Sequence, residues 1–330
     1  MADKANRVIK MGIVGCGNSA RNIHYPQLNK RQHQFKVVAC CDLDKTRAEA
    51  IGKLYEAKAY TDLTAFLSHP DMELVLVTTK PPSTHASVGL AALDAGKHVL
   101  LEKPMCATHE EGIQLVKKAK KILTVYHNRR WDPEFLELQW AIQQGFFGNI
   151  KLFEIMVCGN LLNADWLVDF GVHLFDQALF LGQDKPIEVS CVASFPDDAE
   201  GNSGPFVAWM RFNNGKCGIV SMRVGEGGEY PRFSVVGDKG GCAWPVNDGR
   251  IKYEDNALTT NIPAIHQGAG KPDLKPGAVR IPFIPFYQNL YEALTLGREL
   301  AVKPEEALAV IDVMRAAIQS CKTKLSVVLK

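Results

Sequence analysis

Three side chains in this sequence stand where a reaction needs them. Lys103 follows the apolar run His98-Val-Leu-Leu101 and precedes Pro104. A lysine just past the end of a buried strand projects from the edge of the sheet, and the proline beside it removes a backbone donor and stiffens the turn. An ammonium held in this way can stabilise a developing alkoxide. The plain alternative, a solvated surface lysine, fits the strand-end position less well. The tight turn also predicts a cis Lys103–Pro104 bond. The other two are Asp169 and His173, four residues apart in Asp169-Phe-Gly-Val-His173, a spacing that puts both on one face of a helix. A carboxylate beside an imidazole can fix its tautomer and raise its basicity, as a general base for a hydroxyl proton requires. The same pattern is read equally well as a satisfied core histidine with an aspartate capping the helix, because Leu174, Phe175, Ala178, Leu179 and Leu181 make the rest of that helix core. Upstream, Leu161–Leu167 is an irregular, partly polar approach that could reach over a ligand.

The elements that would carry Lys103 begin with Val8–Ala20. An apolar strand to Val14 turns through Gly15 and Gly17 and enters a helix. The first glycine permits the turn, the second lets backbone approach a pyrophosphate, and the small Ala20 lets helix pack on strand. Unpaired amides and dipole at the helix start favour an anion. Such a loop alone is a weak signal. It gains weight from the second apolar run, Phe35–Cys41, which ends on Asp42, 22 residues after Ala20. A carboxylate there meets the hydroxyls of an adenosine ribose.

From Val8 to Tyr126, strands (8–14, 35–41, 74–79, 98–101, 122–126) alternate with helices (19–29, 44–55, 61–68, 83–95, 108–120). That alternation predicts a doubly wound parallel sheet of Rossmann type over residues 1–126, with ligands at the carboxyl ends of its strands. After about residue 150 the strands alternate apolar with polar residues, the sign of half-buried antiparallel sheet. Ile187–Phe195, Phe206–Phe212, Cys217–Val224 and Arg232–Val236 are such strands, parted by glycine-rich turns such as Gly225-Glu-Gly-Gly228. Residues 127–330 therefore read as an open-faced, mainly antiparallel α+β domain with helices on one face. Its uncovered face predicts a homodimer or homotetramer. Residues 256–285, rich in Pro and Gly, show no period and read as a functional loop or subunit contact. Helices return at the end: Phe286, Leu290, Leu294 and Gly297 share one face, and Pro304-Glu-Glu306 opens the next helix, with Leu308, Ile311, Met314 and Ile318 inward.

Bulk properties narrow the classes. The chain has 330 residues, 38 Lys plus Arg against 36 Asp plus Glu, and no basic or acidic block, so neither nucleic acid nor a membrane surface is implied. Charged residues interrupt the N-terminus, so it does not read as a signal peptide. No run nears the roughly 20 apolar residues of a membrane span. None of the nine cysteines stands in a C-x-x-C pair, and Cys40, Cys41, Cys191 and Cys217 sit inside apolar strands. These features read as a cytoplasmic protein with no metal site.

Taken together, the pieces resemble one family, the oxidoreductases typified by glucose–fructose oxidoreductase, inositol dehydrogenase and the rhizopine-catabolism protein MocA. The resemblance spans almost the whole chain. It rests on Gly12–Ala20, Val38–Asp42, Thr79-Lys-Pro-Pro82 with His85, Glu102-Lys-Pro104, Asn128-Arg-Arg130, Asp169-x-Gly-x-His173 and Pro304-Glu-Glu-Ala307. The resemblance implies hydride transfer between NAD(P) and a hydroxyl-bearing carbon of a sugar, cyclitol or related polyol. By the match, Lys103 would polarise the reacting hydroxyl, His173 would be the acid/base, and Asp169 would hold substrate and tune His173. Arg129 and Trp166 would also meet substrate. Gly15, Gly17, Asn18, Ser19, Ala20 and Asp42 would hold the dinucleotide, and Thr79, Pro81, His85, Glu102, Lys103 and Asn128 would line its crevice. Asn163-Ala-Asp165 stands where the family often has Gly-Gly, which leaves the substrate open. Lys45 and Arg47 could meet a 2′-phosphate, but Asp42 should repel it, so NAD is favoured over NADP. The same fold also hosts glycoside hydrolases that work by transient oxidation with bound NAD, and a dinucleotide-sensing regulator, which would be expected to have lost Lys103.

Overall fold

In the computed structural model, described for residues 7–159, 166–194, 204–224, 230–245, 250–254, 256–268 and 270–329, the chain forms two compact units. One runs to His127 and takes in Phe286–Ile311. The other holds Asn128–Pro285 and Asp312–Lys330. The glycine-rich stretch 225–228, Asn163–Asp165 and Phe195 lie outside the described residues.

The first unit is built on six parallel strands: β1 (Ile9–Val14), β2 (Phe35–Cys41), β3 (Lys58–Tyr60), β4 (Leu74–Val77), β5 (His98–Leu101) and β6 (Leu123–Val125). Their order is β3-β2-β1-β4-β5-β6. The chain therefore reverses direction across the sheet between β1 and β4, where crossovers leave a crevice at the strand ends. The runs are apolar because helices cover both faces; all four side chains of β4 are buried. The helices are α1 (Tyr25–Asn29), which continues a π-helical turn over Ala20–His24, then α2 (Lys45–Tyr55), α3 (Leu63–Leu67), α4 (His85–Asp94) and α5 (His109–Lys118). Their starts are written in the sequence. The Asp44 carboxylate accepts from the amides of Thr46 and Arg47, Asp62 accepts from Ala65, and Thr108 with Glu111 forms a reciprocal capping box. Each such cap contributes about 1 kcal/mol. The short edge strand β3 was not anticipated, because three residues show no usable period.

The second unit opens with α6 (Pro133–Gln143), followed by β7 (Ile150–Gly159), α7 (Gly171–Gly182), β8 (Pro186–Ala193), β9 (Phe206–Phe212), β10 (Cys217–Val224), β11 (Phe233–Gly237) and β12 (Gly241–Trp244). β13 (Lys252–Glu254), β14 (Ala257–Asn261) and β15 (Ala278–Pro282) form a separate three-stranded sheet, and β16 (Val327–Val328) closes the large one. The large sheet has the order β12-β11-β7-β10-β9-β8-β16 and is antiparallel except for the β7–β10 pair. One face is core: Phe153, Ile155, Phe206, Met210, Phe212, Val220, Phe233 and Val235 are buried. On the other face Val192 is 75% exposed, Val207 45% and Val236 47%. Cys217, expected in the core, is only half-buried. The stretch 256–285 is not structureless, since β14 and β15 lie within it. Strands of five residues amid Pro and Gly are too short to announce themselves by period.

After β15 come α8 (Phe286–Leu296) and α9 (Pro304–Thr323). The change of grammar in the sequence assigned both to the second domain, whereas Phe286–Ile311 groups with the first unit. There the Thr124 hydroxyl on β6 donates to the Val302 carbonyl (2.8 Å). Among the described residues, no helix is long and apolar enough to cross a membrane.

Candidate active site

At the crevice of the first sheet lies a cavity of about 710 Å3 lined by Gly15, Gly17, Asn18, Ser19, Asp42 and Thr79, among others. Two of its glycines are there for different reasons. Gly15 has φ +90°, and a Cβ on it would lie 2.6 Å from the Thr78 carbonyl, so the turn and the close approach of β1 to the end of β4 both demand glycine. A Cβ on Gly17 would meet nothing within 4 Å. Gly17, Asn18 and Ser19 line the cavity, where a pyrophosphate would need bare backbone. The helix that follows starts at Asn18, so its first amides have no partner within the helix. Ala20 is buried at 1% exposure, where a small side chain lets helix and strand pack.

Asp42 sits at the tip of β2 with both carboxylate oxygens in use. One accepts from the Cys16 amide (2.7 Å) and the other from the Asp44 amide (2.9 Å). The carboxylate is thus pinned at the cavity wall. Arg47 lines the same cavity, but its guanidinium lies 3.3 Å from the Asp44 carboxylate. The cavity fits a dinucleotide in three respects: a bare-backbone turn, a helix start and a fixed carboxylate at the tip of β2. Cys41 behind it has its thiol pushed up to about 11, by burial first and the Asp42 charge second.

Two further loops meet at the same sheet edge. Lys80–Pro81 and Lys103–Pro104 are both cis, the second as expected. His85 is buried and ties them together: Nδ1 is 2.7 Å from the Pro104 carbonyl and Nε2 is 2.9 Å from the Thr79 carbonyl. His85 and Pro81 are not part of the cavity wall, so His85 is a clamp between loops. Lys103 is half-buried. Its neighbour Glu102 is buried at 5% exposure and accepts from the Lys103 amide (3.0 Å) and from His24 (2.8 Å). Burial alone would raise the Glu102 carboxyl, but the His24 hydrogen bond and nearby positive charge hold it below the usual carboxylate range. His24 and Tyr287, which complete this cluster, were missed in the sequence. The one available signal was a histidine at the inner position of Ile23-His-Tyr25.

In the second unit, Asn128 and Arg129 lie in a 3-10 turn over Asn128–Trp131, and Asp169 and Trp166 in a π turn over Trp166–Phe170 that runs into α7. His173 is buried at 6% exposure and Asp169 is exposed. The Phe170 ring lies edge-on to His173, 6.0 Å between centroids, and the Arg129 guanidinium covers Phe170 at 4.3 Å. Arg129 is thereby brought beside the Asp169–His173 segment. Trp166 is fully buried, with no hydrogen-bond partner for its Nε1 among the described residues.

Beneath α7 lies a polar network absent from the sequence reading. Arg130 and Asp176 pair through both carboxylate oxygens (2.7–3.2 Å) with both side chains buried. Gln177 donates to the Arg129 carbonyl (2.6 Å) and accepts from Arg232 (3.0 Å). Asp132 lies 3.1 Å from Arg129 and 3.7 Å from Arg232. Burial raises the Asp132 carboxyl in spite of both arginines, and burial brings Arg232 down to about 10. A carboxylate followed by proline, Asp132-Pro133, resembles an ordinary helix start and hid this role.

Among the described residues, no group of three or more His, Cys, Asp or Glu is placed to hold a metal. Comparison with known proteins bears on the whole chain. Residues 9–128 match the model of an oxidoreductase family with an NAD-binding Rossmann fold, and residues 141–329 match that family's C-terminal alpha/beta domain. The scyllo-inositol 2-dehydrogenase (NADP(+)) IolW of Bacillus subtilis is 28% identical, with 98% of this chain and 96% of that protein covered. The inositol 2-dehydrogenase of Rhizobium meliloti is 26% identical over 96% of this chain and 98% of its own length. The solved oxidoreductase yvaA of Bacillus subtilis superposes with a TM-score of 0.81 at 27% identity, covering 98% of this chain and all of that one. The glycine turn, the pinned Asp42 carboxylate and these matches lead to one assignment: the chain is an NAD(P)-binding member of the glucose–fructose oxidoreductase, inositol dehydrogenase and MocA family of oxidoreductases.

Proposed function

We propose that the protein is a dehydrogenase or reductase acting on a hydroxyl-bearing carbon of a sugar, cyclitol or related polyol, with NAD preferred to NADP. The observation that carries this is Lys103, held on a clamped loop at the carboxyl end of β5, two strands from the glycine turn. In this reading the amides from Gly15 to Ser19 hold the pyrophosphate, and Asp42 takes the adenosine ribose hydroxyls. A 2′-phosphate beside that carboxylate would cost about 1–4 kcal/mol for charges roughly 4 Å apart. The nicotinamide supplies the hydride acceptor or donor. Lys103 donates to the reacting oxygen and stabilises negative charge on it as the hydroxyl proton leaves. His173 takes that proton, and Asp169 orients the imidazole. The inositol dehydrogenases among the relatives support a cyclitol as first choice of substrate. The uncovered face of the large sheet, with Val192, Val207 and Val236, is read as the contact between identical subunits. Nine free thiols suit a reducing, cytoplasmic compartment.

The test is a panel of sugars and cyclitols incubated with NAD and with NADP, following absorbance of the reduced cofactor. A polyol oxidised faster with NAD is expected. Lys103→Ala and His173→Ala should each lower its kcat by about 10²- to 10⁴-fold with little change in NAD affinity. Full activity in both variants would sink the residue assignments. Cleavage of a glycoside without net reduced cofactor would replace the reaction.

A further inference from the structure

Next to Lys103 the first unit contains a buried chain of polar groups that the proposed reaction does not use. The Tyr287 hydroxyl on α8 lies 2.6 Å from His24 Nδ1. His24 Nε2 lies 2.8 Å from Glu102 Oε1. Glu102 Oε2 accepts from the Lys103 amide at 3.0 Å. A carboxylate can only accept, so Nε2 carries the proton. The other ring nitrogen faces the Tyr287 hydroxyl. The three side chains form one hydrogen-bonded chain, tyrosine, imidazole, carboxylate, with the carboxylate's second oxygen on the peptide of the reacting lysine.

The surroundings keep this order. His24 and Glu102 are buried at 0% and 5% exposure. Tyr126 stacks on His24 at 4.6 Å, and Phe35 and Phe286 flank Tyr287 at 5.7 Å. The titratable groups facing the cluster are few. Glu102 feels His24 and Lys103, while Tyr287 feels Tyr126, Glu102, Tyr55 and Arg31. Burial holds the Tyr287 hydroxyl well above its ordinary range, so it stays a donor.

We propose that His24 and Tyr287 are positioning residues for Lys103: they hold the Glu102 carboxylate ionised and in one orientation, and that carboxylate fixes the peptide from which Lys103 projects. The inference rests on the reading of Lys103 as the group that polarises substrate. Without His24, the buried carboxylate loses its main partner and takes up a proton at higher pH. The Lys103 loop then loses its anchor.

The experiment compares His24→Leu, His24→Gln, Tyr287→Phe and Lys103→Ala in the full chain. The substrate is the polyol turned over fastest in the panel. Leu removes the donor, and Gln restores an N–H near the place of Nε2. In His24→Leu, kcat should fall about 10- to 100-fold with the KM for NAD within about twofold, and the acid limb of the kcat–pH profile should move to higher pH. His24→Gln should recover much of the loss, and Tyr287→Phe should show the same changes in smaller measure. A second readout needs no substrate: acetylation of Lys103 by N-hydroxysuccinimidyl acetate, followed by mass spectrometry. It should run several-fold faster in His24→Leu and return toward wild type in His24→Gln. The proposal is overturned if His24→Leu keeps the wild-type acid limb and acetylation rate, or if His24→Gln behaves as His24→Leu does. If Lys103→Ala stays active, the role given to Lys103 fails instead, and the acetylation rates still decide whether its loop is held in this way.

Discussion

The two units solve the burial of charge in opposite ways. In the first, one carboxylate, Glu102, is buried against a histidine ring and a backbone amide, next to Lys103, a side chain with its own proposed task. In the second, Asp176 is matched by Arg130 with two-pronged geometry, and Asp132 lies between Arg129 and Arg232. The first arrangement aims a loop. The second locks α7, the helix that carries His173, onto the segment from Asn128 to Asp132. A buried bidentate pair of full charges is costly to break, whereas a carboxylate held by a ring N–H and a backbone N–H can lose its charge with its shape kept.

The largest expected effect is therefore in the second unit. Asp176→Ala strands a buried guanidinium and should cost about 3–5 kcal/mol of stability. Glu102→Gln keeps the volume and an acceptor for the Lys103 amide, and should cost less than half of that. Urea denaturation of both variants checks the order. Equal losses would mean that the two clusters are built alike.

A finer test uses pH, because the two carboxyls are displaced in opposite directions. Glu102 is held below its ordinary range, so its ionised form favours the folded state. That contribution is fully present above the unfolded value and is lost as pH falls through the folded one. Asp132 is raised by burial, so its ionised form disfavours folding, and the folded state gains as the group protonates. Below about pH 4.5 the stability advantage of wild type over Glu102→Gln should shrink. From near neutral pH down to about pH 4, the difference between wild type and Asp132→Asn should move in wild type's favour. Parallel slopes in the two denaturation series would remove the distinction.

How far the sequence reaches follows the same division. Five of the six parallel strands were legible, because apolar runs, glycine turns and capping residues are local signals. The turn residues Gly15 and Gly17 and the carboxylate Asp42 were legible for that reason, and so was the tight turn at Lys103-Pro104. Local signals do not report where a side chain finds a partner 263 residues away, as His24 does in Tyr287. On α8 the period suggested Leu294 as an inward residue, yet Tyr287 and Tyr291 are among the buried ones. A tyrosine is read as amphipathic until its hydroxyl is known to be satisfied. Trp166, which the family match put at the substrate, is a fully buried ring, and no local signal announced that burial.

The smallest effect expected concerns the uncovered sheet face, where the second unit carries charge in a third way. Glu188 on β8 stands directly across from Arg211 on β9, and the guanidinium binds one carboxylate oxygen at 2.8 and 3.1 Å. The Arg211 side chain is 50% exposed. In an isolated subunit such a pair is worth about 0.2–1 kcal/mol, and salt weakens it. If identical subunits cover this face, the pair is desolvated along with Val192 and Val207 on the same face. Arg211→Ala would then leave Glu188 without its cation in an interface, and the loss would grow with protein concentration as the assembly forms. Thermal unfolding of Arg211→Ala and wild type at two protein concentrations, with sedimentation of both, separates the cases. A small loss independent of concentration places the pair on an open surface. A loss that grows with concentration, and a lighter particle in the variant, places it between subunits.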